Sequence, residues 1–244
     1  MKISIAQTRS IKGDIAFNSQ NHIKLIEIAA SLGADAIFFP ELSLTGYEPN
    51  LAKDLAINLK DSRLKDFQLL SNKHFITIGL GVPTISKLGI LISMIIFQPN
   101  ESQKVYSKQL LHSDELPFFT NGEGQIILNV NNRKIAPAIC YESLQPNHFE
   151  TANQLGAEVY LASVAKPQKG IDKAMVYYPE VAKKYSIPVF MSNCVGFCDN
   201  FESFGNSAVW TKEGTIAGQL DNNNEGLLIF DMESEEAQCI LAPF

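Results

Sequence analysis

Short apolar runs recur along the chain, and several stop abruptly at a polar or charged residue. Residues 3–7 alternate apolar and polar positions and read as a strand. Residues 18–32 carry Ile23, Ile26, Ile28, Ala29 and Leu32 on or near one face, the period of an amphipathic helix, and Gly33 follows as a C-terminal stop. A strand at 35–39 comes next, then a second helix over 54–72. Strands at 75–82 and 90–98 are joined by a turn around Ser86-Lys87-Leu88-Gly89, and a short strand covers 104–106. Residues 125–130 and 134–140 form a hairpin across Asn131-Asn132. Helices at 146–155 and 172–185 alternate with strands at 158–163 and 188–193. A second hairpin pairs 207–211 with 215–219 across Lys212-Glu213-Gly214, and 226–230 reads as the final strand.

Many of these strands are apolar on both faces, as in 36–39 and 90–97, so the sheets they form are expected to be buried on both sides. Strands alternating with helices in one part and forming hairpins in another predict an α/β architecture of mixed sheets covered by helices. The polar turn Asp221-Asn222-Asn223-Asn224-Glu225 is too short to divide domains, and residues 1–244 read as one domain.

Composition narrows the function classes. The chain has 244 residues, 20 Lys plus Arg against 26 Asp plus Glu, and a net charge of −6. Without a basic cluster it lacks the footprint of a nucleic-acid binder. The longest apolar stretch, 89–97, is interrupted by Ser93 and too short to span a bilayer. The first residues read as a strand rather than a leader, which predicts a soluble, cytoplasmic protein without membrane partners. A disulfide framework is not expected from four cysteines in such a chain. Cys194 and Cys198 lack the spacing of a zinc hook, the four histidines lie far from them in sequence, and both read as reduced structural thiols.

The candidate chemistry sits at the ends of the apolar runs. Lys134-Ile135-Ala136-Pro137-Ala138-Ile139 leads directly into Cys140, Ala36-Ile37-Phe38-Phe39-Pro40 into Glu41, and Lys104-Val105-Tyr106-Ser107 into Lys108. Strand ends are where the ligand crevice of a layered α/β domain lies. A carboxylate can take the proton of a thiol, and an ammonium can stabilise the thiolate and a later oxyanion. The backbone N–H of Tyr141, just past the thiol, is a natural second oxyanion donor. Composition and spacing do not single out these three residues. Each taken alone has a plainer reading: Cys140 as a small buried hydrophobe, Glu41 as a strand-end charge or cap, Lys108 as a surface amine.

Local sequence changes those odds. Phe39-Pro40-Glu41-Leu42-Ser43-Leu44-Thr45-Gly46-Tyr47 closely resembles the glutamate motif of the nitrilase superfamily of carbon–nitrogen hydrolases. Tyr106-Ser107-Lys108-Gln109-Leu110-Leu111 resembles its lysine motif and Ile139-Cys140-Tyr141-Glu142-Ser143 its cysteine motif, in the family order. Further matches run from Ala6-Gln7 through Gly33-Ala34-Asp35 to Gly205-Asn206-Ser207 and Gly214. The resemblance implies Glu41 as general base, Lys108 as oxyanion stabiliser and Cys140 as nucleophile. It also implies a four-layer αββα sandwich that commonly dimerises through an outer helical layer. Glu115 occupies the place of a second family glutamate, after a shorter interval from the lysine than is usual; its plainer reading is a surface carboxylate. Because the chain stops soon after the last expected strand, dimerisation or filament growth through a C-terminal tail is not expected. Tyr47 reads as a pocket residue or an ordinary core aromatic. Lys166 reads first as a solvated loop lysine and second as a partner for a substrate carboxylate.

The expected activity is hydrolysis of a small linear amide or carbamoyl compound through a cysteine thioester, with water as co-substrate and no metal or organic cofactor. A nitrile hydrolase is the nearer alternative, and a catalytically inactive binding or assembly relative the more distant one. A thiol peroxidase pairing Cys140 with Cys194 or Cys198 would leave Glu41 and Lys108 without a role.

Overall fold

The chain folds, in a computed structural model that describes residues 1–242, around two mixed β-sheets packed face to face. The first sheet takes β1 (Lys2–Gln7), β2 (Ala36–Phe38), β3 (Thr77–Ile85), β4 (Ile90–Phe97) and β5 (Lys104–Ser107). The second takes β6 (Leu128–Val130), β7 (Arg133–Ile139), β8 (Val159–Val164) and β9 (Val189–Asn193). A separate ribbon of β10 (Val195–Cys198) and β11 (Phe201–Phe204) follows, before β12 (Ala208–Trp210) and β13 (Ile216–Gln219) complete the second sheet. The chain then returns to the first sheet with β14 (Gly226–Asp231) and β15 (Ala237–Leu241). The orders are β15-β14-β1-β2-β3-β4-β5 and β13-β12-β9-β8-β7-β6. β1–β2–β3 and β7–β8–β9 are the parallel triplets; the other pairings are antiparallel.

Side chains alternate between two layers of core, as the two-residue period of a strand requires. From β1 and β2, Ile3, Ile5 and Phe38 point between the sheets and meet Ile135, Leu161 and Phe190 of the second sheet. Their neighbours Ala6, Ile37 and Phe39 point outward under the helices α1 (Ile15–Ser31) and α3 (Lys65–His74). On the far side, Ala136, Ala138, Tyr160 and Ala162 face α4 (Pro146–Gln154) and α5 (Gln168–Tyr185). Helix, sheet, sheet, helix is the αββα order. Trp210 is buried in that last core layer, as packing.

Three elements depart from the sequence reading. The helix expected over 54–72 is broken into α2 (Ala52–Leu55) and α3, because the intervening Ile57 is drawn into pairing with β3: Ile57 N–H donates to Pro83 O at 3.0 Å and Ile57 O accepts from Ile85 N–H at 3.0 Å. Tertiary pairing and the burial of Ile57 outweigh local propensity there. The strand at 226–230 is not the last, because β15 pairs beyond it; β15 is largely exposed, and its short apolar run Cys239-Ile240-Leu241 lacks the two-residue alternation that marks a half-buried strand. The ribbon β10–β11 turns at Asp199, which adopts φ +48°, and it too escaped sequence patterning.

Candidate active site

β5 runs parallel in direction to β2 and β3, since each of the β3–β4 and β4–β5 steps reverses the chain. The residues that follow β2 and β5 therefore emerge at the same end of the first sheet, and those that follow β7 and β8 at one end of the second. Glu41, Lys108, Cys140 and Lys166 are those residues. The turn that carries Glu41 lies directly on β3 at Gly81. A Cβ on Gly81 would stand 2.3 Å from Leu42 N and 2.5 Å from Pro40 O, so only glycine lets the turn settle.

Cys140 ends β7 with φ +47°, a left-handed conformation that costs a non-glycine residue about 1 kcal/mol and tips the thiol out of the sheet. Ser143 Oγ donates to Cys140 O at 2.5 Å and holds the turn. Glu142, fully buried, fixes the geometry further. Its Oε1 accepts from Ile139 N–H at 2.8 Å and Tyr106 O–H at 2.6 Å, and its Oε2 from Gln109 N–H at 2.6 Å and Leu110 N–H at 3.2 Å. One carboxylate thus ties the strand end before Cys140 to the backbone just after Lys108. With its O–H committed to Glu142, Tyr106 accepts from His148 Nε2–H, and His148 Nδ1 accepts from Tyr160 O–H. That neutral tautomer agrees with burial pulling His148 down to about 4.

Lys108 is sealed from solvent. Its Nζ donates to Glu41 Oε1 at 2.8 Å and Glu115 Oε1 at 2.6 Å. Glu115 also accepts from Tyr47 O–H at 3.0 Å and His112 N–H at 2.7 Å. It is buried, and the surface reading of it is set aside. Glu41 Oε2 is buried without a conventional hydrogen-bond partner among the described residues, and the Cys140 thiol is near enough to exert a hydrogen-bonding pull on the carboxyl.

Burial pushes Glu41 up to about 7 against the pull of the Lys108 ammonium, with Glu115 adding to the rise. Burial also pushes the Cys140 thiol up to about 12, helped by the Glu41 charge and opposed by Lys166 and Lys108. For Lys108, burial works downward but the charges of Glu41, Cys140 and Glu115 win, and the ammonium lies well above its usual range. Burial thus biases the Glu41 carboxyl and the Cys140 thiol toward their protonated forms, and the surrounding carboxylates bias Lys108 toward its charged one.

Lys108, Glu115, Cys140 and Lys166 line a cleft of about 670 Å³ together with Tyr47, Tyr141 and Phe201, and Glu41 is not part of that lining. Tyr141 is half-exposed and packs edge-on to His112, with ring centroids 5.3 Å apart. Lys166 is not the solvated loop residue its local sequence suggested. It is 4% exposed, and its Nζ lies 3.4 Å from Cys140 O and 3.8 Å from Cys140 Sγ. All four cysteines are free thiols; Cys194 and Cys198 are buried with their sulfurs 3.6 Å apart. Among the described residues no group of three His, Cys, Asp or Glu is placed to hold a metal ion, and no helix is long and apolar enough to cross a membrane.

Sequence reasoning missed the residues that position the site: Glu142, Tyr106 and His148, and Asn193, whose Oδ1 accepts from Lys166 N–H at 2.9 Å. Glu142 lay inside the quoted cysteine motif; a carboxylate two residues past a buried strand end was its available signal.

The Carbon-nitrogen hydrolase family model matches residues 2–240. An amidase of the nitrilase superfamily from Nesterenkonia sp. AN1 shares the fold with a TM-score of 0.87 and 21% identity, over 96% of this chain and 92% of that one. The glutamine-dependent NAD(+) synthetases of Thermotoga maritima and Acinetobacter baylyi are 24% and 26% identical over 97% and 96% of this chain. This chain spans less than half the length of those synthetases, 42% and 44%. A Staphylococcus aureus protein called "Hydrolase in agr operon" is 22% identical over 98% of this chain and 93% of its own length. The chain belongs to the carbon–nitrogen hydrolase family.

Proposed function

We propose that the chain, acting as one catalytic domain, hydrolyses the carbon–nitrogen bond of a small linear amide or carbamoyl compound through a thioester on Cys140. Glu41 takes the thiol proton as the sulfur attacks the carbonyl carbon. The oxyanion that forms is met by the Lys108 ammonium and the Tyr141 N–H. The tetrahedral intermediate collapses, Glu41 returns the proton to the departing nitrogen, and ammonia or an amine leaves. Water then gives a proton to Glu41 and attacks the thioester, and the acid departs as the thiol is restored. Glu115, with Tyr47 behind it, holds the Lys108 ammonium in place. The scheme uses no metal or organic cofactor.

The observation that carries this reading is the Lys108 ammonium pinned between Glu41 and Glu115, with the second oxygen of Glu41 left over for a proton beside the thiol. Cys140→Ala should abolish ammonia release with the fold intact, and Glu41→Gln should lower it at least ~100-fold. Trapping an acyl adduct on Cys140 by mass spectrometry with a slow amide would mark the intermediate. Normal turnover by either variant contradicts the role given to that residue. Iodoacetamide labelling separates this reading from an inactive relative: Cys140 should alkylate faster than the buried Cys194 and Cys198 and lose that advantage in Glu41→Gln, whereas labelling confined to the exposed Cys239 would favour the binding protein.

The substrate screen covers small amides, N-carbamoyl amino acids and nitriles. Glutamine joins it because two relatives are named as glutamine-dependent enzymes. A dimer formed through the outer helical layer fits the family likeness and the exposure of Val176 on α5. Light scattering should return twice the mass of one chain.

A further inference from the structure

We infer that the cleft takes an amide whose far end carries a carboxylate, and that Lys166 holds that carboxylate. This rests on the hydrolase reading above and names its substrate class. An ammonium removed from water costs several kcal/mol unless it is paired. Lys108, equally buried, has two carboxylates. Lys166 is 4% exposed and has none among the described residues; its Nζ contacts are the carbonyl oxygen and sulfur of Cys140.

The position is built rather than incidental. The Lys166 N–H donates to Asn193 Oδ1 at 2.9 Å, while its carbonyl accepts from Phe204 N–H at 2.9 Å and from Ser203 Oγ and Asn193 Nδ2 at 3.2 Å each. Its stem lies against Gly170 in the first turn of α5, where a Cβ would come within 3.1 Å of Lys166 Cβ and 3.3 Å of Cγ. Lys169 and Lys173, both exposed, line the same cleft. Of the acids, Glu41 and Glu115 are paired to Lys108, and the one other carboxylate lining the cleft, Asp114, is an exposed group hydrogen-bonded to His112, against the three lysines 166, 169 and 173. The uncommitted charge of the cleft is positive although the chain carries −6. A field of that sign concentrates anions at the mouth, and Lys166 lies within reach of the far end of a short chain whose amide sits at Cys140.

The test uses succinamate and 4-oxopentanamide, which match in length and differ in charge. In the Cys140→Ala protein, calorimetry should show succinamate bound at least ~10-fold more tightly, and adding Lys166→Met should erase the difference while Lys166→Arg keeps part of it. In the otherwise native enzyme, Lys166→Met should lower the ratio of kcat/KM for succinamate over 4-oxopentanamide by the same factor. Equal binding of the two compounds to Cys140→Ala overturns the inference without needing any Lys166 variant. A Lys166→Met enzyme that loses both substrates alike also overturns it, and assigns Lys166 to the thiolate instead. Lys166-dependent succinamate binding with no turnover of any amide by the native enzyme would sink the hydrolase reading and leave this one. Hydrolysis of 4-oxopentanamide with no preference for succinamate would do the reverse.

Discussion

Burial pushes the Glu41 carboxyl up and the Lys108 ammonium pulls it down, and burial wins, leaving it at about 7. A base must be ionised to act, so kcat/KM for a neutral amide should rise as pH climbs through about 7. A rise centred near the ordinary glutamate value would show that Glu41 is not the base. Lys108 lies too high to contribute a falling limb below pH 10. Glu142 is the residue whose importance the sequence hid best. Gln in its place has one acceptor oxygen and an amide nitrogen that cannot accept, so a buried backbone N–H loses its partner. Glu142→Gln should cost about 1–3 kcal/mol in urea unfolding and also lower kcat, because it loosens both Cys140 and Lys108. A variant of native stability and native kcat would remove Glu142 from the positioning role.

At the scale of elements, the site depends on strand ends brought close by packing. The glutamate turn rests on β3 only because residue 81 has no side chain. Gly81→Ala drives a Cβ into backbone atoms of Pro40 and Leu42, which cannot rotate away as a side chain could. It should destabilise the protein by about 2 kcal/mol or more and reduce turnover, as read by thermal melting and ammonia release together. A fully active, equally stable alanine variant would mean that the turn has slack. Most strands and the helices α1, α4 and α5 could be read from apolar period alone, because burying a helical stripe or both faces of a strand imposes a pattern on the sequence. The break at Ile57, the ribbon β10–β11 and the edge strand β15 could not. Ile57 is extended because β3 offers it partners, and β15 is an exposed edge strand whose Cys239-Ile240-Leu241 shows no alternation imposed by burial. Lys166 illustrates the same limit in a single side chain: nothing in Ala165-Lys166-Pro167 says that the ammonium will be enclosed.

For the molecule as a whole, stability should respond to acid through opposing groups. His22 and His148, in the first and second halves of the sandwich, are both held near 4 by burial. An unfolded chain binds protons on these imidazoles from about 6.5 downward, so their contribution is full above pH 6.5 and is lost as pH falls toward 4. Glu41 acts in the other direction. Its folded value exceeds its unfolded one, so its contribution is present below about 4.5 and is lost as pH rises through 7. Glu41→Gln removes that offset, and its denaturant midpoint should fall more steeply between pH 7.5 and 4.5 than that of the native protein. Parallel slopes would contradict the raised carboxyl. What the chain's sequence determined by itself was local: strand and helix periods, the thiol, carboxylate and amine at the ends of apolar runs, and motifs that resemble one superfamily. Tertiary structure alone decided which of 26 acids and 20 bases meet, that Glu115 and Lys166 are buried, and that Glu142 ties two strand ends together. The physical reason is that burial and the charges around a group belong to neighbours distant in sequence, and those neighbours set both its pKa and its partners.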